Sequence, residues 1–154
     1  MVNHILHRDP NAKTWLEIGS FNGESATLLL GFPQLVHITL VEQSQEKCKY
    51  LEAKFSKPIA AHRLTVINAT SQQFVKAVPN CYAVDVVYID ADHSYESVSS
   101  DIRALAPLCV GTFVCGHDYH TGFPGVVRAV DEFRAFKQTN LRTFSDSSWC
   151  VRLR

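Results

Sequence analysis

Short apolar bursts, each four to seven residues long, alternate along this chain with stretches whose apolar positions recur at helical spacing. Bursts of that length bounded by turn residues read as buried strands. They predict strands at Thr14–Ile18, His37–Glu42, Arg63–Asn68, Val84–Asp90 and Gly111–Cys115, then a closing pair at Leu141–Phe144 and Trp149–Leu153. Between them the spacing predicts helices over Ser25–Leu30, SQEKCKYLEAKF, SQQFVKAV, YESVSSDIRALAPL and GVVRAVDEFRAF. The second of these keeps Cys48, Leu51 and Phe55 on one face, and the last carries a stripe of Val126, Val127, Val130, Phe133 and Phe136. Ser44 and Ser71 stand where N-caps belong. Strands that alternate with helices imply a parallel sheet covered on both faces. The last two strands are joined by SDSS with no helix between them, so they should pair as an antiparallel hairpin. The expected fold is α/β: a doubly wound, Rossmann-like, seven-stranded sheet, mostly parallel with a C-terminal antiparallel hairpin.

Composition narrows the classes. The 154 residues suit one domain, 46% apolar and 19% charged. Fifteen Lys and Arg balance fifteen Asp and Glu, and apart from Arg152 and Arg154 the basic residues are scattered. No field gathers a polyanion, so nucleic acid bound through charge is not expected. The five cysteines are widely spaced with no C-x-x-C pair, which fits reduced core thiols. MVNHILHRDPNAK holds no long apolar segment, so neither a signal peptide nor a membrane span is expected, and the expected address is cytoplasmic.

Two places carry candidate chemistry. In WLEIGSFNGES, Gly19 and Gly23 bracket a strand-to-helix turn where backbone can approach a ligand. Glu42 closes the next strand, about 20 residues on, where an acid can hold a ribose diol. Phe21 replaces the middle glycine of the dinucleotide fingerprint, and no third glycine opens the helix, which suits a nucleoside ligand lacking a pyrophosphate. The second place is VDVVYIDADHSY together with GTFVCGHDYH. Asp90, Asp92 and His93 end one strand and His117, Asp118 and His120 end the next. Ionisable groups at the mouth of apolar strands need a purpose, because burying them is costly. Carboxylates with an imidazole can hold a divalent cation. Alternatively Asp90 caps the helix near Tyr95, Asp118 caps a turn, and His93 bonds backbone. Tyr95 and Tyr119 read as wall residues, and Trp15 and Trp149 as packing.

The run EIGSFNGES, the VE that closes the next strand and the terminal hairpin resemble class I S-adenosylmethionine-dependent methyltransferases. YIDADHSYESVSSDI, GTFVCGHDYH and GFPGVVRAVDEF are similar, more narrowly, to the small-molecule O-methyltransferase-like branch that includes metal-dependent sugar O-methyltransferases. The likeness runs from about Thr14 to Arg154. It implies S-adenosyl-L-methionine as cofactor, with Glu17, Gly19 and Gly23 lining its methionine end and Ser20 and Phe21 also among the cofactor-binding residues. Glu42 would take the ribose, Ala69, Thr70 and Ser71 would meet adenine, and Asp90 would stand beside the methyl group. Asp90, His117 and Asp118 would take the three positions of a divalent-cation site (Mg²⁺, Mn²⁺ or another). His117 departs from the carboxylate of metal-binding relatives and moves preference towards Mn²⁺, Fe²⁺ or Zn²⁺, or means that no metal is held. Asp92 would then take the acceptor's proton, with His93 or His120 as alternatives.

The resulting expectation is O-methylation of a small-molecule hydroxyl, divalent-metal-assisted or not. About a dozen residues precede the first strand, fewer than in larger relatives. That brevity favours an alternative, a non-catalytic S-adenosylmethionine- or nucleoside-binding module of a larger assembly. It also fits a homodimer in which a partner subunit completes the acceptor wall. A nicotinamide dehydrogenase is disfavoured by the missing glycines and the hairpin.

Overall fold

Alternate residues of the central strands enter two different cores, one on each face of a single sheet. Leu16, Ile18, Val41, Val87 and Ile89 belong to one; Trp15, Ile38, Leu40, Val86 and Tyr88 belong to the other. The computed structural model describes residues 1–153, with only the backbone of Thr112. Arg154 of the basic pair lies outside the described residues.

The strands are β1 (Thr14–Ile18), β2 (His37–Glu42), β3 (Leu64–Asn68), β4 (Val84–Ile89), β5 (Cys109–Gly116), β6 (Leu141–Thr143) and β7 (Trp149–Arg152). Their order in the sheet is β3-β2-β1-β4-β5-β7-β6. Every pair from β3 across to β5 is parallel, and β7 runs antiparallel to both β5 and β6. The doubly wound sheet with its C-terminal hairpin is therefore present as expected.

The helices are α1 (Val2–Arg8), α2 (Glu24–Leu29), α3 (Gln45–Lys54), α4 (Ser56–Ala60), α5 (Ser71–Ala77), α6 (Tyr95–Leu105) and α7 (Pro124–Phe136). Phe74 of α5, Val98, Ile102 and Leu105 of α6 and Val126, Ala129 and Val130 of α7 fill the first core. Ile5 and Leu6 of α1, Ala26 and Leu29 of α2 and Leu51 of α3 fill the second. Among the described residues no helix is long and apolar enough to cross a membrane. Trp15 and Trp149 are fully buried, as their packing role requires. Cys48, Cys109, Cys115 and Cys150 are buried, but Cys81 is exposed and is no part of the core.

The departures from expectation have local causes. Neither α1 nor α4 was legible, because helices of seven and five residues gain almost nothing from propensity. Tertiary burial of Ile5 and Leu6 holds α1 in place. Ser44 does cap α3, accepting the Lys47 N–H at 3.3 Å. Ser71 does not cap α5. Thr70 does, in a capping box in which its hydroxyl accepts the Gln73 N–H at 3.2 Å and the Gln73 side chain accepts the Thr70 N–H at 2.9 Å. Ser71 is thereby the first helical residue, with its hydroxyl free to bond elsewhere.

The ends of β1 and β4 meet with no room to spare. A Cβ on Gly19 would lie 2.0 Å from the Asp90 carbonyl oxygen, and Gly19 itself holds a left-handed φ of 86°. This glycine serves close strand packing as well as the turn. Gly19→Ala should therefore destabilise the protein by about 2–4 kcal/mol. A urea titration with an unchanged midpoint would contradict the contact.

Candidate active site

The strand order reverses between β1 and β4, the switch point at which ligands bind in sheets of this kind. A crevice of about 1230 Å³ opens there. Glu17, Gly19, Ser20, Phe21, Glu42, Ala69, Thr70 and Ser71 line one arm, and Asp90, Asp92, His93, His117 and Asp118 line the other. Two residues expected at the site do not line it. A Cβ on Gly23 would lie 2.6 Å from the Phe55 ring, so Gly23 is glycine for packing against α3. His120 stands behind Asp118, as described below.

Glu42 organises the first arm. Its Oε2 accepts the Phe21 N–H at 3.0 Å and its Oε1 accepts the Ser44 N–H at 2.8 Å. The loop between β1 and α2 and the start of α3 are thus tied to one buried carboxylate, which keeps lone pairs for a further donor. Phe21 is left-handed and largely exposed. The Lys47 ammonium sits 3.9 Å over its ring and donates to Asn22 Oδ1 at 2.7 Å, bracing the loop from outside.

Glu17 lies deeper. It is 2% exposed, Ser25 donates its hydroxyl to Oε1 at 2.6 Å, and Oε2 has no partner. Ser20 Oγ, also buried, has none either. Unsatisfied buried polar atoms are rare, and with His93 Nε2 three of them border one crevice. Burial raises the Glu17 carboxyl from 4.5 to about 7; the Ser25 hydroxyl opposes the rise, and the Asp90 charge adds to it.

The second arm is a knot of imidazoles around one carboxylate. His93 Nε2 lies 2.8 Å from Asp118 Oδ2 and 3.9 Å from Asp90 Oδ1. The shorter contact is an ion-pair approach without the alignment of a hydrogen bond. His117 Nδ1 is 3.2 Å and His120 Nε2 is 3.7 Å from Asp118 Oδ1. Phe123 stacks on His93 at 4.3 Å and meets His120 edge-on at 5.0 Å. The Gly122 N–H donates to His120 Nδ1 at 3.0 Å, so in the neutral ring this network places the proton on Nε2, facing Asp118. Trp149 Nε1 donates to the His117 carbonyl at 3.1 Å and fixes the end of β5.

The two remaining acids differ in kind. Burial raises the Asp90 pKa; His117 pulls it down and Asp118 pushes it up. Asp92 lines the crevice and also serves local structure. Its carboxylate accepts the Ser94 N–H at 2.7 Å just before α6, and those Ser94 hydrogen bonds hold its pKa below the usual value. Neither Asp90 nor Asp118 serves as a helix cap; Ser94 caps α6. Asp90, His117 and Asp118 each offer a ligand atom, all within 4.8 Å of one another. Tyr95 and Tyr119 turn to α7 instead of the crevice, donating to Glu132 at 2.6 Å and Asp131 at 3.1 Å. Sequence reasoning missed Phe123, whose only signal was its place in the GFPG segment.

Residues 16–119 match the family model described as "Methyltransferase domain". No curated protein matches the sequence. Among solved structures, a Staphylococcus aureus protein named as a candidate caffeoyl-CoA O-methyltransferase superposes with a TM-score of 0.77 at 16% identity, over 98% of this chain and 79% of its own. The O-methyltransferase TomG from Streptomyces achromogenes, solved with SAM, gives 0.74 at 15% identity over 99% and 77%. An O-methyltransferase from Bacillus cereus, solved with SAH, gives 0.72 at 14% over 92% and 74%. At such identities these likenesses establish the shared fold.

The Glu17 carboxyl makes the stability of the ligand-free protein depend on pH. Its folded pKa lies above the ordinary value, so its contribution is complete below about pH 4.5 and is lost as pH rises through 7. The loss should reach about 3 kcal/mol by pH 8. Denaturation of the Glu17→Gln protein should show that much less decline between pH 5 and 8. Parallel profiles for the two proteins would contradict the buried, protonated state.

Proposed function

The chain belongs to the methyltransferase-domain family, and on that premise we propose that it transfers a methyl group from S-adenosylmethionine to a hydroxyl of a small molecule. The observation that carries this reading is the pair of buried, unpartnered oxygens, Glu17 Oε2 and Ser20 Oγ, bordering the crevice that Glu42 also faces. A cofactor with an ammonium and a ribose diol answers both needs: Glu17 receives the ammonium and Glu42 the diol. Ala69, Thr70 and Ser71 are left to receive adenine. Phe21, at a left-handed position in the glycine loop, occupies backbone that a pyrophosphate would need bare. That favours a nucleoside over a dinucleotide.

When bound, the cofactor supplies an electrophilic methyl group, and a divalent cation, when bound, lowers the pKa of a hydroxyl it coordinates. The protein's own task is then positioning and proton removal. Glu17 releases its proton to pair with the ammonium. His93 takes the acceptor's proton in this reading, because it lies against Asp118 and within 3.9 Å of Asp90 while Phe123 fixes its ring plane. Asp92 is the weaker base, being low in pKa and committed to Ser94. Asp90, His117 and Asp118 fit a cation, and their mixed imidazole and carboxylate set suits Mn²⁺, Fe²⁺ or Zn²⁺ better than Mg²⁺.

Calorimetry with S-adenosylmethionine should show binding that weakens at least about tenfold in Glu42→Ala, the loss of a charge-assisted hydrogen bond. Absence of binding to the native protein would remove the proposal. With labelled cofactor and a panel of phenols and sugars, His93→Ala should abolish transfer while leaving cofactor affinity within about threefold. Undiminished transfer would return the proton to another group. Chelation should stop the reaction and Mn²⁺ restore it; activity indifferent to both would leave acid–base chemistry alone.

A further inference from the structure

Beyond the loop that ends β3, the crevice continues between α5 and α6, where Ser71, Gln72, Ser97, Ser100 and Asp101 border it. Asp101 lies in α6, 6% exposed, and nothing in the sequence marked it as more than a polar position in that helix. The Ser71 hydroxyl donates to Asp101 Oδ1, a contact possible because Thr70 and not Ser71 caps α5. Beside it, Gln72 Nε2 donates to Ser100 Oγ at 2.9 Å, so the first turn of α5 is held to α6 at two successive residues.

The direction of the Ser71 bond has a chemical consequence. Burial raises the Asp101 pKa and the Ser71 hydroxyl opposes that rise. The ionised carboxylate that this bond favours only accepts, so the hydroxyl proton of Ser71 is committed to Asp101, and Ser71 Oγ presents lone pairs alone to the crevice. The second Asp101 oxygen adds a further acceptor. A free serine hydroxyl would rotate to suit either a donor or an acceptor; this one is fixed as an acceptor.

We propose that Asp101 is a positioning residue that polarises Ser71 so that the purine end of the crevice selects a 6-amino base over a 6-oxo base. This rests on the S-adenosyl reading of the site and adds to it the group that reads the base edge. A 6-oxo purine would set its own oxygen against the Ser71 and Asp101 oxygens, with no donor between them. Such a mismatch is disfavoured, because the half-buried Ser71 oxygen and the buried Asp101 carboxylate are left facing an acceptor.

The test uses the whole protein and two probes, S-adenosylhomocysteine and its deaminated counterpart S-inosylhomocysteine, with dissociation constants from calorimetry. The native protein should prefer the adenosyl probe by about thirtyfold or more. Asp101→Asn should bring the ratio below about fivefold, largely by tightening the inosyl probe, because an amide can donate to Ser71 and free its proton. Ser71→Ala should also collapse the ratio, and it serves as the second variant if Asp101→Asn folds poorly. A native protein that binds both probes equally overturns the proposal, as does an Asp101→Asn ratio equal to the native one. In the latter case the bond is only a tie between α5 and α6, seen as lost stability with selectivity intact. A native protein that binds neither probe overturns the S-adenosyl reading itself, an outcome distinct from the others because no heat is seen with either.

Discussion

The approach of Gly19 to the backbone of Asp90 is the contact on which the site depends. It brings the carboxyl ends of β1 and β4 together so closely that no side chain fits between them. Everything chemically distinctive hangs from one strand end or the other. Glu17 and the loop pinned by Glu42 leave from β1, and the acids and imidazoles leave from β4 and its neighbour β5. A second tight contact repeats the device: a Cβ on Gly116 would lie 2.4 Å from the Ile89 carbonyl oxygen and 2.6 Å from the Trp149 ring. The two glycines set the spacing of three strand ends, and Trp149 from the terminal hairpin seals the third.

That spacing explains why a knot of charge is tolerable at the top of an apolar sheet. Asp118 is mostly covered, and ring nitrogens of three imidazoles lie between 2.8 and 3.7 Å from its carboxylate. Asp90, with fewer partners, has its pKa raised by burial. Phe123 presses on two of the three rings from the α7 side. The arrangement is anchored at the ends of β4 and β5 and opens towards the crevice.

Much of this was legible in the chain. Period and length of the apolar bursts place the central strands, because burial on both faces leaves a strong signal in Val, Ile and Leu, while the largely exposed β6 is betrayed by its short link to β7. The hairpin followed from a connection too short for a crossover. The acids and histidines were visible as charges in the wrong company. What the sequence concealed is the division of labour among them. Asp92 looks like a free carboxylate until the Ser94 N–H claims it, and Gly23 looks like part of a ligand cradle until Phe55 fills the space beside it. Asp101 looks like solvent-facing helix until it meets Ser71, 30 positions away. Pairings of that kind depend on tertiary register, which no local pattern encodes. α1 was hidden for the same reason: its apolar residues are too few to speak for themselves and matter only because the second core receives them.

The most direct test is a crystal structure with S-adenosylhomocysteine. Density should lie across the ends of β1 and β4, with the ligand's amino group on Glu17, its ribose on Glu42 and its sulfur turned towards Asp90 and His93. Density elsewhere on the molecule, or a ligand in the crevice whose amino group leaves Glu17 Oε2 without a partner, would contradict that placement.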